Sequence, residues 1–331
     1  METLKVFTLH AGNVEVVISN LGARIMRLLV DGTDVVQGFD SPEDYLPENH
    51  LSDFGAVIGR YANRLASGRV FLDWDIIQLP RNNGPNCLHG GPRGWQYSVY
   101  DVISVSDTRL ELAMTSPDGD NGFPGTVKVK LVYTLGDNGA LRIDYHAETD
   151  KLTVINMTNH SYFNLNGDLS SSIYNHMLSI DADRYTPVNK VLIPLGKHAS
   201  VDGTPFDFRS AKPVGRDIDD DDEQLRIGHG YDHNFVLNHP CLDKPSASLT
   251  SPATGIAMEV FTTAPGMQVY TGNFLDGVNG KGGVCYPERS AICLETQHYP
   301  DSPNHSWPES TGLLYPDKPF DSTTIFKFSR Q

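Results

Sequence analysis

The sequence is poor in cysteine and in basic residues, and each shortage argues against a class of protein. Only four cysteines occur in 331 residues, and none of them stands in a CxxC spacing. This usage favours free thiols in a reducing compartment over a disulfide framework. Lysine and arginine number 26 against 41 acidic residues, which gives a formal charge of −15. A chain of this charge is a poor ligand for phosphate backbones, so we expect no nucleic-acid partner.

Long apolar runs are also missing. No stretch approaches the roughly 18 continuous apolar residues that a membrane span requires. The first five residues (METLK) lack the basic region and the following apolar run of a secretion signal. We therefore expect a soluble, cytoplasmic protein with no membrane partner.

Helical periodicity is absent as well. No window of ten or more residues repeats its apolar positions every 3.6 residues, which argues against βαβ units. The 30 glycines and 21 prolines instead separate short runs that are rich in β-branched and aromatic residues. These runs predict strands at residues 14–18, 99–105, 109–114, 128–133, 141–145, 153–159, 246–250, 256–263, 268–273, 291–296 and 323–328.

The pattern as a whole predicts an all-β fold of mainly antiparallel strands. Residues 136–139 (GDNG) lie between two predicted strands and favour a tight hairpin turn. The acidic stretch 217–223 predicts an exposed loop. Because no repeat, low-complexity tract or linker divides the chain, we expect a single domain over residues 1–331.

Motifs of common enzyme and metal sites are absent or incomplete. GxSxG, HExxH, a Walker A loop and GxGxxG do not occur. The segment from Asp118 begins like a calcium loop, but Val129 stands where a bidentate glutamate is required. His229 and His233 have a metal spacing only on a helix, which the glycines beside them disfavour. We therefore expect no metal.

Two predicted strands end in polar side chains that could face a cleft. Period-two alternation places His160 on the face opposite Ile155 and Met157. The same rule places Glu295 opposite Leu294, beside small side chains. An imidazole and a carboxylate can act as acid and base, although each taken alone is more often a hydrogen-bonded group of the fold.

Three further segments combine polar side chains with glycines or an aromatic residue. They are 59–64 (GRYANR), 86–91 (NCLHGG) and 230–235 (GYDHNF). Amide, guanidinium, imidazole and carboxylate groups bind sugar hydroxyls, and aromatic rings pack on the apolar faces of a pyranose. These segments form a sugar site if the fold brings them to one cleft.

Seven blocks of the sequence resemble the aldose 1-epimerases, also called galactose mutarotases, and they occur in the order of that family. The blocks are 59–64 (GRYANR), 88–91 (LHGG), 156–165 (NMTNHSYFNL), 206–209 (FDFR), 231–235 (YDHNF), 268–275 (QVYTGNFL) and 295–304 (ETQHYPDSPN). On these blocks the sequence is identified as a member of the family. The resemblance implies a large antiparallel β-sandwich with few short helices.

The resemblance also implies an activity and the residues that perform it. The activity is the interconversion of the α and β anomers of a hexose such as glucose or galactose, with no cofactor and no metal. Glu295 would be the general base and His160 the general acid. The residues that would hold the sugar are Asn63, Arg64, His89, Asp232 and Gln268. We expect the protein to act as a monomer or a homodimer.

Two alternatives remain open at this point. The first is an epimerase of a modified hexose, such as a 6-phosphate or a sulfonated sugar, for which Arg93 is a candidate cation. The second is a non-catalytic sugar-binding module on the same fold. The presence of both Glu295 and His160 argues against the second, since a binding module has no need of a matched acid and base.

Overall fold

The computed structural model of the protein describes residues 3–49 and 53–330. Within these residues the chain forms 28 β-strands, one six-residue α-helix and seven 3-10 turns. This content confirms the prediction of an all-β fold with few short helices. None of the described helical segments has the length and the apolar composition that a membrane crossing requires.

The strands are short, and most are joined by tight turns. In chain order they are β1 (Val6–Ala11), β2 (Val14–Ser19), β3 (Arg24–Val30), β4 (Thr33–Asp34), β5 (Val57–Ile58), β6 (Arg64–Leu65), β7 (Arg69–Leu72), β8 (Asp75–Gln78), β9 (Cys87–Leu88), β10 (Asp101–Val105), β11 (Arg109–Ser116), β12 (Val127–Leu135), β13 (Ala140–Thr149), β14 (Thr153–Val154), β15 (Thr158–Asn159), β16 (Met177–Ile180), β17 (Arg184–Thr186), β18 (Ala199–Ser200), β19 (Lys212–Pro213), β20 (Asp232–Val236), β21 (Ala247–Thr250), β22 (Ile256–Thr262), β23 (Gly266–Tyr270), β24 (Val278–Asn279), β25 (Cys285–Tyr286), β26 (Cys293–Gln297), β27 (Leu313–Leu314) and β28 (Phe320–Arg330). The helix is α1 (Glu223–Gly228), and the 3-10 turns are Pro42–Tyr45, Ala66–Gly68, Trp95–Tyr97, Asp120–Gly122, Val214–Arg216, Lys281–Gly283 and Ser302–Asn304.

The largest sheet has nine strands, in the order β10-β11-β12-β13-β28-β22-β21-β16-β19, and its neighbours are antiparallel throughout. The predicted hairpin joins β12 to β13, where the N–H of Gly136 donates to the carbonyl of Ala140 at 2.9 Å. Alternate residues of β12, beginning with Val127, are buried. A strand with one face on a core has this pattern.

A five-stranded antiparallel sheet, in the order β18-β17-β20-β23-β26, packs against the large sheet. The buried apolar side chains of both sheets, and those of the four-stranded sheet β1-β2-β3-β4, form one continuous core. Thr296 of β26 lies 2.5 Å from Thr324 of β28, measured between the hydroxyl oxygens. This face of the five-stranded sheet therefore points into the sandwich, and its other face is left for a cleft.

One predicted strand, at residues 153–159, is interrupted. It consists of β14 and β15, with residues 155–157 between them. The side-chain amide of Asn156 donates to the carbonyls of Ala62 at 3.0 Å and His298 at 3.1 Å. These bonds tie the segment to two other parts of the chain, so a regular ladder does not continue through it.

The single α-helix of the described chain ends just before the two histidines that carry a helical metal spacing. α1 begins at Glu223, the last residue of the acidic stretch 217–223, and ends at Gly228. His229 then has a left-handed φ of 56°, and His233 lies in β20. The two histidines do not share a helix, as the flanking glycines predict.

Candidate active site

A cleft of about 510 Å³ opens on the outer face of the five-stranded sheet. Six of the seven residues that the sequence predicts for the site line this cleft, and they come from five separate parts of the chain. These six are Asn63, Arg64, His89, His160, Asp232 and Glu295. The fold thus gathers the segments that the sequence could only group by chemistry.

Glu295 lies in β26, where it is paired with Gln268 of β23. Its side chain is only 2% exposed, and Oε2 has no hydrogen-bond partner among the described residues. Burial raises the pKa of the carboxyl well above its usual value, and the charges of Asp232 and Asp53 raise it further, while Arg64 lowers it. A buried carboxylate with a raised pKa has a strong affinity for a proton.

His160 follows β15 and is 4% exposed. Its Nε2 lies 3.6 Å from Oε1 of Glu295. The imidazole stacks on the ring of Tyr162, with centroids 5.0 Å apart and planes 18° apart. Burial lowers the pKa of His160, whereas the charges of Asp53 and Asp232 raise it. An imidazole and a carboxyl group therefore lie side by side in the cleft.

His89 is held in one tautomer by its neighbour across the β6–β9 pair. The backbone N–H of Asn63 donates to Nδ1 of His89 at 3.1 Å. Burial lowers the pKa of His89 to about 3, so the ring is neutral near pH 7. A neutral imidazole that accepts at Nδ1 carries its proton on Nε2. His89 can therefore donate a hydrogen bond into the cleft.

Arg64, Asp232 and Gln268 form a second polar group at the cleft. The amide of Gln268 donates to Oδ1 of Asp232 at 2.6 Å, and Nη1 of Arg64 lies 3.9 Å from Oδ2 of Asp232. Nε of Arg64 also donates to the amide oxygen of Asn83 at 3.1 Å. Gln268 is not among the described residues that line the cleft. The structure thus places Gln268 behind Asp232, and its direct contact with a sugar stays a prediction.

Aromatic rings form one wall of the cleft. Tyr162, Tyr270 and Phe274 all line it. The rings of Tyr270 and Phe274 lie within 18° of parallel, with centroids 6.3 Å apart, and Phe274 is 56% exposed. The sequence blocks contain these residues, but residue type alone does not assign them to the cleft. Such a wall suits the apolar face of a pyranose.

Asp53 is the site residue that sequence reasoning missed. It lines the cleft, and an oxygen or nitrogen atom from each of Asp53, His89 and His160 lies within 4.8 Å of the other two. Among the described residues this is the one group of histidines and acids close enough to hold a metal ion. The three are far apart in the sequence, so spacing could not reveal the group, and a lone aspartate gives no signal by itself. The expectation of a metal-free site stays a prediction.

Three other residues singled out in the sequence have different positions. His229 lines the outer part of the cleft, with its ring 5.4 Å from that of Phe274. His233 is fully buried, and its ring packs 4.8 Å from that of Phe206. Arg93 is exposed and is not among the described residues of the cleft. The cation suggested for a modified hexose is therefore outside the site.

Comparison with known proteins extends the match from the site to the whole chain. The profile of the aldose 1-epimerase family matches residues 5–327. The galactose mutarotase of Bos taurus is 43% identical in an alignment of 335 positions, which covers 99% of this chain and 94% of the bovine protein. The aldose 1-epimerase of Escherichia coli strain K12 is 40% identical over 312 residues, which cover 93% of this chain and 88% of the bacterial protein.

A solved structure agrees with the sequence comparison. The crystal structure of an aldose epimerase homologue from C. elegans superposes with a TM-score of 0.91 at 28% identity, and it covers 99% of each chain. This agreement confirms the predicted sandwich. The chain belongs to the aldose 1-epimerase family.

Proposed function

We propose that the protein is an isomerase that interconverts the α and β anomers of an unmodified aldohexose such as glucose or galactose. The observation that carries the proposal is the pair of Glu295 and His160, whose Oε1 and Nε2 atoms lie 3.6 Å apart on the floor of the cleft. Mutarotation needs one base and one acid at the anomeric carbon. Both groups are present, buried and close together.

The reaction follows from what these two groups can do. Glu295 removes the proton of the C1 hydroxyl while His160 protonates the ring oxygen, and the bond between C1 and the ring oxygen then breaks. Rotation about the C1–C2 bond presents the other face of the carbonyl, and closure reverses both proton transfers. Since both reacting oxygens are bonded to C1, the acid and the base must be neighbours, as they are in the cleft.

The charges around the pair favour the protonated form of His160 and act in both directions on Glu295. His160 must carry a proton when the sugar binds, and the carboxylates of Asp53 and Asp232 act against the loss of that proton. Glu295 must be ionised, and the guanidinium of Arg64 favours the ionised form, whereas Asp232 and Asp53 disfavour it. Burial opposes both charged forms, and the two aspartates offset part of this cost for His160 only.

The remaining residues of the cleft suit the hydroxyls and the ring of the substrate. Neutral His89 supplies a donor, Asp232 supplies acceptors, and Arg64 supplies further donors. We infer that Asn63 helps to hold the sugar through its bond to His89. The exposed ring of Phe274 lies where it can cover the apolar face of a pyranose. We propose an unmodified hexose rather than a 6-phosphate or sulfonated one because Arg93 lies outside the cleft, and glucose 6-phosphate is included in the test because Lys190 lines the cleft.

The proposal extends to the working form of the protein. We infer one domain over residues 1–331, because side chains from Asn63 to Glu295 meet in a single cleft. The four cysteines are free thiols, which supports a location in a reducing compartment. We infer that this compartment is the cytoplasm. We propose that the active form is a monomer or a homodimer.

Polarimetry tests the proposal. Freshly dissolved α-glucose or α-galactose should reach its equilibrium rotation faster with the protein than without it. A preparation carrying Glu295→Gln is the control for acceleration by buffer or contaminants. Acceleration with glucose 6-phosphate alone would favour the modified-hexose alternative. Binding of glucose, galactose or glucose 6-phosphate without faster mutarotation of any of these sugars would favour a binding module. Either of these last two results would overturn the proposal.

A further inference from the structure

Asp53 is a charged side chain of the cleft that the mechanism above leaves without a contact to the substrate. It lines the cleft beside His89 and His160. Its Oδ1 atom is buried and has no hydrogen-bond partner among the described residues. A buried carboxylate oxygen without a partner is costly, and such atoms in a native structure are often completed by a ligand.

The neighbours of Asp53 indicate which ligand group would complete it. One oxygen or nitrogen atom from each of Asp53, His89 and His160 lies within 4.8 Å of the other two. His89 can donate from Nε2, because its Nδ1 is occupied by the N–H of Asn63. A sugar hydroxyl can accept from His89 and at the same time donate to Asp53. One hydroxyl would therefore satisfy both side chains.

We propose that Asp53 is a further substrate-binding residue, whose carboxylate accepts a hydrogen bond from a sugar hydroxyl that His89 also contacts. This inference rests on the proposed function, because it takes an aldose as the occupant of the cleft. It adds a negative group beside His89 to the one that Asp232 supplies.

The charge of Asp53 also changes the pKa values of His160 and Glu295. It raises the pKa of His160, as Asp232 does, while Arg24 lowers it. The other titratable groups around His160 are Glu295, His89 and the phenols of Tyr162 and Tyr270. Asp53 and Asp232 likewise raise the pKa of Glu295. Loss of the Asp53 charge should thus lower both pKa values at once.

The test uses Asp53→Asn in the full chain, with Asp73→Asn as the matched control. Asp73 is exposed, has a left-handed φ of 52° that asparagine tolerates, and is not among the described residues of the cleft. Both variants lose one negative charge. Sugar affinity, KM, kcat and the pH profile of kcat/KM are measured for each, together with the melting temperature.

We expect Asp53→Asn to weaken sugar binding and raise KM by about tenfold, the effect of losing one charge-assisted hydrogen bond. We also expect both limbs of the pH profile to move to lower pH, because one negative charge acts on Glu295 and His160 alike. Asp53→Glu restores the charge and should return the limbs towards those of the original protein. Asp73→Asn should change none of these quantities.

Two results would overturn the inference. The first is unchanged sugar affinity and unchanged pH limbs in a folded Asp53→Asn protein. The second is a loss of activity that follows the lowered melting temperature alone, with normal KM in the folded fraction. If Asp53→Asn does not fold, the same measurements on Asp53→Glu decide, since its longer side chain should alter KM without removing the charge. Binding is measured at equilibrium, so Asp53 is tested even if the protein binds sugar without turning it over.

Discussion

The backbone N–H of Asn63 donates to Nδ1 of His89 across 3.1 Å, and this bond determines which ring nitrogen faces the cleft with a proton. Both residues have a left-handed backbone, with φ of 67° for Asn63 and 51° for His89. The chain therefore turns sharply at both positions, which brings the amide to the ring. His89 becomes a fixed neutral donor.

We predict that His89→Asn raises KM by about tenfold or more, since the shorter side chain draws the donor group away from the position of Nε2 and out of reach of the sugar. Asparagine tolerates the left-handed backbone, and its amide oxygen can still accept from Asn63. The limbs of the pH profile should stay in place, because the pKa of His89 is about 3 and the ring does not titrate in the working range. Steady-state kinetics from pH 5 to pH 9 check this, and a displaced alkaline limb would reassign His89 to proton transfer.

We predict that Glu295→Gln lowers kcat by more than roughly 10²-fold while sugar binding is nearly unchanged. Glutamine keeps the shape of the side chain but cannot take the proton of the C1 hydroxyl. A coupled assay that consumes β-glucose measures turnover, and equilibrium binding is measured on the same preparation. Glu259→Gln, on the exposed side of β22, is the control for loss of a carboxylate. Near-normal turnover in Glu295→Gln would remove the residue from the role of base.

The pH profile of kcat/KM should be a narrow bell. Glu295 must be ionised, and its raised pKa moves the acid limb upwards from the usual range of a glutamate. His160 must be protonated, and its lowered pKa moves the alkaline limb downwards from the usual range of a histidine. The apparent pKa values of the two limbs belong to the coupled pair of Glu295 and His160 rather than to either residue alone. A broad plateau that extends well above pH 7 would contradict these two directions.

The sequence predicts the fold well where a strand has one buried face. In β12 the alternation is visible, and the strand lies where the pattern places it. The alternation is hidden in β20, where all five residues are buried and the first three are all polar or charged. Polar side chains of β20 point into the cleft or pack inside, so period two in hydrophobicity disappears. Of the strands that carry the site, β23 and β26 overlap the predicted runs 268–273 and 291–296, whereas β20 was not predicted.

The candidate site was predictable as far as its residues stand in recognisable blocks. His160 and Glu295 were found by alternation and by resemblance, and both line the cleft. Asp53 was not found, because its role depends on packing against His89 and His160 from elsewhere in the chain. The bond between Gln268 and Asp232 likewise depends on the register of β20 and β23, which pairs Gln268 with Asn234 and which the sequence does not show.

We predict that prolonged treatment with EDTA leaves the activity unchanged. Acid and base are both supplied by side chains, so the proposed chemistry has no step that needs a metal. The test is a sharp one because Asp53, His89 and His160 are close enough to hold an ion. Activity is measured before chelation, after it, and after adding zinc. Activity lost on chelation and restored by zinc would overturn the prediction and assign an ion to these three residues.

The last prediction concerns His160. Its burial suits a packing residue of the fold, whereas its position beside Glu295 suits the general acid. As the general acid, His160 must deliver a proton to the ring oxygen. Asparagine can donate a hydrogen bond but cannot deliver a proton. We predict that His160→Asn lowers kcat by about 10²-fold or more, with a smaller change in KM, and removes the alkaline limb of the pH profile. Turnover per folded molecule and the melting temperature are measured on the same preparation.

A buried histidine of the fold would behave differently, and His176 provides the matched control. It is fully buried, and its Nε2 accepts from the N–H of Leu165 at 2.8 Å, outside the described residues of the cleft. His176→Asn breaks this bond and should lower the melting temperature, while the folded fraction keeps normal turnover. If His160→Asn gave the same result as His176→Asn, its role would be packing against Tyr162 rather than proton transfer. Lost turnover in a protein that still melts as a folded one is the result that supports the general acid.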